Sequence, residues 1–261
     1  MNKALIGMPP GTILQGLYLR ERIRLLRREG TLSTFIEFGA GNGWVSRILL
    51  EEGLTGIGMD LNESACANNA ALNKTWIEQG RYSVQSVDFV RADLPKADVT
   101  ISSMVIEHVP DEDLSAVFMK AKGLLNENGL IISLVPAGMQ FWNVEDEIAG
   151  HIKRYRRVDF EVLARQEGLR IAHLAGLTFP LSNLLFRLSN RLVAKHEGGR
   201  LRLSQQQKTE KSGNRNVPFK TTFPRWLNFA LNPVALYPFH LLQKMSVGNK
   251  RCMVLYCEMR R

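Results

Sequence analysis

Seven consecutive residues, Glu37-Phe38-Gly39-Ala40-Gly41-Asn42-Gly43, carry the most legible chemistry in this 261-residue chain. Glycines at 39, 41 and 43 let the backbone pass close to a ligand where a side chain would collide. They also bring the free N–H groups of a following helix against the ligand's polar end. Asp60 closes the next apolar run, Gly56-Ile57-Gly58-Met59, where it can accept two ribose hydroxyls. Such a site sits at the carboxyl edge of an open α/β sheet and takes a nucleotide-like cofactor. The glycine spacing is G-x-G-x-G, not the G-x-G-x-x-G of dinucleotide sites. Glu37 would repel a pyrophosphate but can accept a bond from an ammonium. Asp88, after a third apolar run, falls in reach of an adenine amino group. These details favour S-adenosylmethionine (SAM) over NAD.

The elements that must position these residues follow from periodicity. Residues 12–29 predict an amphipathic helix stopped by Gly30, and residues 34–38 a strand running into the glycines. Strands are expected at 56–60, 82–87, 98–102 and 129–135, with helices at 42–53, 63–73 and 111–125 between them. That alternation means βαβ units and a mainly parallel sheet. Residues 141–157 read as irregular, 158–167 as a helix, and 169–175 and 252–258 as the last two strands. The fold class is α/β, a Rossmann-like seven-stranded sheet with helices on both faces and a helical insertion before the last strand. Four units follow: an N-terminal lid helix (1–30), a SAM-binding core (31–178), a helical and basic insertion (179–249) and the final strand (250–261).

The run Ile36 to Gly43, the strand-end Asp60, Asp88-Phe89, and Ile106-Glu107-His108-Val109-Pro110 after strand four resemble the class I SAM-dependent methyltransferases. Gly150-His151-Ile152-Lys153-Arg154-Tyr155 is similar to a segment of the group that holds the ubiquinone-pathway O-methyltransferases. The resemblance spans roughly residues 12–178 and the last strand. It implies that Gly39, Ala40, Gly41 and Gly43 hold the amino-acid end of SAM. Asp60 with Leu61 would take the ribose, Asp88 and Phe89 the adenine side, and Ser103 the methionine portion. It implies transfer of a methyl group to an O or N nucleophile of a small-molecule, natural-product, glycan or lipid-linked substrate.

In methyl transfer the cofactor brings the activated group, and the protein supplies alignment and, where needed, a base. His108 opens the segment after strand four, so it reads as a base near the methyl or as a residue that orients a helix. His151, in the loop after strand five, reads as a base or substrate contact, or as a structural hydrogen-bonding residue. Arg154 and Tyr155 are candidate substrate contacts, because a guanidinium suits carboxylate and phosphate. A metal is expected only for a catechol-like diol substrate. No carboxylate cluster follows strand four, where the sequence reads Ser102-Ser103-Met104, so no metal is assigned.

The net charge is +9, from 34 basic and 25 acidic residues, and much of the excess falls between Lys195 and Lys220. That surplus suits nucleic acid, anionic lipid or acidic small molecules. An RNA methyltransferase using the basic insertion is the alternative function. The absence of an Asp/Asn-Pro-Pro-Tyr/Phe box after strand four counts against base methylation. Residues 204–216 read as a mobile loop. About 75 residues separate the last two strands, more than a loop needs. The insertion is either a helical cap over the core or a peripheral contact with an anionic membrane. Residues 226–243 are uncharged but broken by Pro233 and Pro238, which argues against a membrane span. The first residues lack a signal peptide's pattern, and Cys66, Cys252 and Cys257 form no metal or disulfide spacing. The expected location is cytoplasmic, with a peripheral position at the inner membrane face as the variant.

Overall fold

The computed structural model describes residues 8–30, 32–204, 208 and 217–261. The loop expected at 204–216 therefore lies almost wholly outside the described residues. Among the described residues one sheet of seven strands organises the chain, in the order β3-β2-β1-β4-β5-β7-β6. Its strands are β1 (Thr34–Phe38), β2 (Thr55–Met59), β3 (Tyr82–Gln85), β4 (Ala97–Ser103), β5 (Leu125–Pro136), β6 (Arg170–Leu177) and β7 (Val254–Arg260). All neighbours pair parallel except β7, which is antiparallel to both β5 and β6.

The helices are α1 (Pro10–Glu29), α2 (Trp44–Glu51), α3 (Glu63–Leu72), α4 (Lys74–Glu78), α5 (Asp111–Gly123), α6 (Val144–Ala149), α7 (Arg157–Gln166), α8 (Leu181–Glu197) and α9 (Tyr237–Met245). Alternating strand residues feed two cores, one on each face of the sheet. Phe35, Leu130 and Ile132 pack with Leu19 and Ile23 of α1 and with Ile48 and Leu49 of α2. Ile36, Phe38 and Ile131 pack on the opposite face with Phe118 of α5 and Phe160 of α7. Helices thus cover both faces, as a mainly parallel sheet requires.

Strand order reverses beside β1, whose neighbours are β2 and β4. The carboxyl ends of β1 and β4 therefore flank a crevice, the usual place for a ligand in such sheets. The turn Gly39 to Gly43 leaves β1 on one side of it. A 3-10 turn, Ile106–His108, leaves β4 on the other.

The N-terminal helix is held by more than packing. Arg22 forms a two-pronged ion pair with the buried Glu258, at 2.7 and 2.8 Å, and Arg24 does the same with Glu52. The Tyr18 hydroxyl lies 2.8 Å from His173 Nε2 on β6. The insertion, residues 178–253, contributes α8 and α9. His240 and Gln243 of α9 are buried, and Gln243 donates to the Leu14 carbonyl at 2.9 Å, tying α9 to α1. No helix among the described residues is long and apolar enough to cross a membrane.

Candidate functional site

The glycine turn is built as its spacing requires. Gly39, Gly41 and Gly43 have φ of +65°, +50° and +82°, in the left-handed region where a side chain is strained. Gly43 carries a second constraint, since a Cβ there would lie 2.2 Å from Asn69 Oδ1. Among the described residues a Cβ on Gly41 meets no atom within 4 Å. That side of the turn faces open space. Asp60, just after β2, accepts the Gly41 N–H at 2.8 Å and the Asn62 N–H at 2.9 Å. A carboxylate offers about four lone-pair positions, so ribose hydroxyls can still be taken. Leu61 beside it is 75% exposed.

Beneath the turn Glu37 belongs to a buried polar network whose other members the sequence did not announce. Glu37 is fully enclosed, and Ser46 near the start of α2 gives it both hydroxyl and backbone N–H. The Tyr82 hydroxyl donates to Ser46 Oγ at 2.6 Å. Asn73 Nδ2 donates to the Gly43 carbonyl at 3.1 Å and to Asn69 Oδ1 at 2.8 Å. Tyr82 reaches across β2 only because Gly58 has no side chain, for a Cβ there would lie 2.0 Å from the tyrosine oxygen. Burial pushes the Glu37 carboxyl up to about 8, and its bonds to Ser46 offset only part of that.

After β3, Asp88 is partly exposed and accepts the Val90 N–H at 2.9 Å. Phe89 is buried and stacked on Phe38 with ring centres 4.3 Å apart, so its ring is a wall of the core. Ser103 is the last residue of β4, and Met104 after it takes a left-handed φ of +56°. A non-glycine residue held there is strained, and strain of this kind gathers at functional edges.

Glu107, His108 and His151 come together across the crevice. One ligand-capable atom of each lies within 4.8 Å of the other two. His108 Nδ1 donates to the Gly150 carbonyl at 3.0 Å, and the two imidazoles meet edge to face at 4.9 Å between centres. His151 Nδ1 donates to Asp146 Oδ1 at 2.7 Å while its Nε2 lies 3.8 Å from Glu107 Oε1. A carbonyl and a carboxylate only accept, so Nδ1 is the donor in both rings and each Nε2 is left for another partner, that of His151 lying toward Glu107. Burial and the neighbouring His151 pull His108 down to about 4, leaving it neutral near pH 7. Burial, with the Asp146 charge adding to it, pushes Glu107 up to about 8. Among the described residues, no donor apart from its own backbone N–H reaches either Glu107 oxygen.

The segment 150–155 is strapped to the turn after β4. Ile152 donates its N–H to the Glu107 carbonyl at 2.8 Å, and Tyr155 its hydroxyl to the Ile106 carbonyl at 3.0 Å. Arg154 and Tyr155, expected as substrate contacts, lie buried with their polar groups engaged within the protein. Arg154 is 7% exposed and spends its guanidinium on Asp146 Oδ1, at 2.8 Å, and on the Ala137 carbonyl. Tyr155 is 2% exposed in the core, and Lys153 lies over its ring. Arg154 thus holds Asp146, the partner of His151, while Tyr155 ties the segment to the turn after β4.

Residues 12–174, well over half the chain, match the family model described as a methyltransferase domain. The chain belongs to this methyltransferase family. It is a class I SAM-dependent methyltransferase, and SAM is its cofactor. Among solved structures, one similar fold is a putative sarcosine dimethylglycine methyltransferase from Galdieria sulphuraria. It has TM-score 0.59 and 11% identity, with 94% of this chain and 84% of that one covered. Another is the magnesium protoporphyrin IX methyltransferase ChlM from Synechocystis PCC 6803 with bound SAH, at TM-score 0.53 and 18% identity, covering 64% and 78%. The same enzyme with bound SAM gives TM-score 0.51 and 18% identity, covering 64% and 74%. At these identities the likeness concerns the fold. No curated protein sequence matches the chain.

Proposed function

We propose that this methyltransferase acts on an O or N nucleophile of a small molecule, free or carried on a glycan or lipid, bound in the crevice between the glycine turn and the His108–His151 pair. The observation that carries this reading is the cluster of Glu107, His108 and His151 just after β4, tied to the segment 150–155 by the Ile152 N–H on the Glu107 carbonyl. Such a cluster of titratable groups beside the cofactor's edge of the sheet suits an acceptor group brought into line with a sulfonium methyl. In this reading Gly39, Ala40, Gly41 and Gly43 take the amino-acid end of SAM, and Glu37 turns from a neutral carboxyl into a carboxylate when the ammonium arrives. Asp60 and Leu61 take the ribose, Asp88 the adenine edge and Ser103 the methionine portion, with Phe89 as a wall. His108 and His151 face the acceptor with their Nε2 atoms.

The reaction forms a bond from the acceptor oxygen or nitrogen to the methyl carbon as the carbon–sulfur bond breaks. Sulfur keeps the electron pair, and the acceptor's proton leaves. The test is to supply methyl-labelled SAM with separated pools of small metabolites, lipids and RNA. Label in a small-molecule or lipid fraction supports the reading. Label confined to RNA would replace it with the alternative that the basic charge suggests.

A second reading concerns location. Leu184 and Leu188 of α8 are 72% and 56% exposed, and Arg187 and Arg191 stand exposed on the same helix. Trp226, Phe229, Val234 and Met245 add further exposed apolar side chains. Apolar side chains rimmed by arginines suit a peripheral contact with an anionic membrane face.

A further inference from the structure

Glu107 poses a physical problem that its surroundings do not solve. A buried carboxyl, ionised or neutral, is normally retained with hydrogen-bond partners, and among the described residues both Glu107 oxygens lack any donor beyond the residue's own N–H. Arg154, the nearby guanidinium, is committed to Asp146. Facing the carboxylate are two imidazoles whose orientation is fixed from behind, His108 by the Gly150 carbonyl and His151 by Asp146. Fixing Nδ1–H on a carbonyl or carboxylate is how proteins aim Nε2 at a metal ion and raise its basicity. Asp146 is itself held, accepting from Arg154 Nε at 2.8 Å and from the Asn143 N–H at 2.9 Å. The outer partners of a metal site are thus in place.

We propose that Glu107, His108 and His151 bind a divalent transition-metal ion of the zinc type. Two imidazole nitrogens and one carboxylate form a donor set that such ions take, with a position left over for a ligand from outside. Metal–ligand distances of about 2.0–2.2 Å put neighbouring ligand atoms roughly 3.3 Å apart. The three atoms, within 4.8 Å of one another, need only small side-chain rotations to close on an ion. The ion would sit where the acceptor is placed above, so its role rests on the methyl-transfer reading. An acceptor hydroxyl bound at the open position loses its proton to solvent more readily, and the oxygen then attacks the sulfonium methyl. The sequence expectation of a metal-free site looked for carboxylates after β4 alone, and His151 and Asp146 come from a separate segment.

The test uses the untagged full chain after chelator treatment, titrated with Zn2+ by calorimetry and with Co2+ by visible absorption, and separately with SAM. One equivalent of Zn2+ is expected to bind, with Co2+ showing the bands of a low-symmetry site. Glu107→Gln, which keeps the shape of the side chain, and His151→Ala should each weaken Zn2+ binding at least about 100-fold, and Asp146→Asn about 10- to 100-fold. Failure to bind one equivalent of Zn2+, or equal affinity in wild type and in the folded Glu107→Gln protein, overturns the proposal. If SAM binds and Zn2+ does not, the cation site falls and the methyl-transfer reading stands. If Zn2+ binds and SAM does not, the cation site stands and its assigned role falls.

Discussion

The Gly41 N–H donates to the Asp60 carboxylate at 2.8 Å, joining the turn after β1 to the end of β2. One carboxylate thus shapes the turn and, in the proposed reading, also takes the ribose. Asp60→Ala removes both functions, whereas Asp60→Asn keeps an acceptor oxygen without the charge. Hydrogen bonds to a charged group contribute about 1.5–3 kcal/mol each, so losing two ribose bonds should weaken SAM at least about 100-fold. Asp60→Asn should fall between that and wild type. Unchanged calorimetric affinity in Asp60→Ala would place the ribose elsewhere.

Gly41 and Gly43 should fail in different ways. Gly41→Ala meets no protein atom, so its cost to the fold is the left-handed strain of about 1 kcal/mol. Its methyl group projects into the space assigned to the cofactor, so SAM binding should be lost while Tm changes little. Gly43→Ala instead drives a methyl into Asn69 and Asn73 and should cost about 2–4 kcal/mol of stability. The pair of melting curves with and without SAM checks the contrast. A Gly41→Ala protein still stabilised by SAM would remove the turn from the site.

Glu37 links cofactor binding to protons. Its folded pKa is raised to about 8 by burial, so in the ligand-free protein it is mostly protonated near neutral pH. A raised carboxyl contributes stability that is complete below its unfolded pKa and lost as pH rises through the folded value. Tm of the ligand-free protein should therefore fall between about pH 5 and about pH 9, and Glu37→Gln should flatten that slope. An arriving ammonium favours the ionised form, so SAM binding near pH 7 should release close to one proton. Calorimetry in buffers of different ionisation enthalpy reads this directly. No proton release, or equal release in Glu37→Gln, would separate Glu37 from the ammonium.

Much of the sheet was legible because its strands are short apolar runs punctuated by glycine. β1 is as expected at Thr34–Phe38, and β2 and β4 differ by a residue at either end. β5 is longer than the periodicity suggested, since Leu125 pairs with Ala97 across a register shift and the expected turn at 126–129 lies inside the strand. Helix α6 was missed within a stretch read as irregular. Six residues are too few to show a period, although Asn143 and Asp146 form a capping box that marks its start. The glycine turn and Asp60 were readable because backbone conformation and strand ends leave local signatures. The Glu37–Ser46–Tyr82 bonds and the Asp146–His151–Glu107 arrangement were not, because they join side chains from separate elements.

Arg154 and Tyr155 serve the fold, and their variants should show it. Tyr155→Phe leaves the Ile106 carbonyl without its donor and should cost about 1 kcal/mol. Arg154→Ala breaks a buried ion pair and leaves Asp146 short of a partner, which should cost about 3 kcal/mol. Once a methyl acceptor is known, its KM should be nearly unchanged in Tyr155→Phe. A large KM increase at unchanged Tm would restore Tyr155 as a substrate contact.

The exposed apolar residues of the insertion separate a cap from a membrane contact. A cap spends its apolar faces inward, as Leu236 and Phe239 at the start of α9 do by packing with Ile13 and Leu14 of α1. Val234 and Met245 do the opposite, at 83% and 84% exposed, and so does Trp226 at 65%. Flotation with vesicles rich in phosphatidylglycerol should recover the protein, and vesicles of phosphatidylcholine alone should recover much less. Each basic residue near an anionic surface contributes about 1 kcal/mol, so raised salt should release the chain. Trp226→Ser with Phe229→Ser removes apolar anchors without touching the charge. If the doubly substituted chain floats as well as wild type, attraction to the vesicle is electrostatic only and the apolar face belongs to the fold.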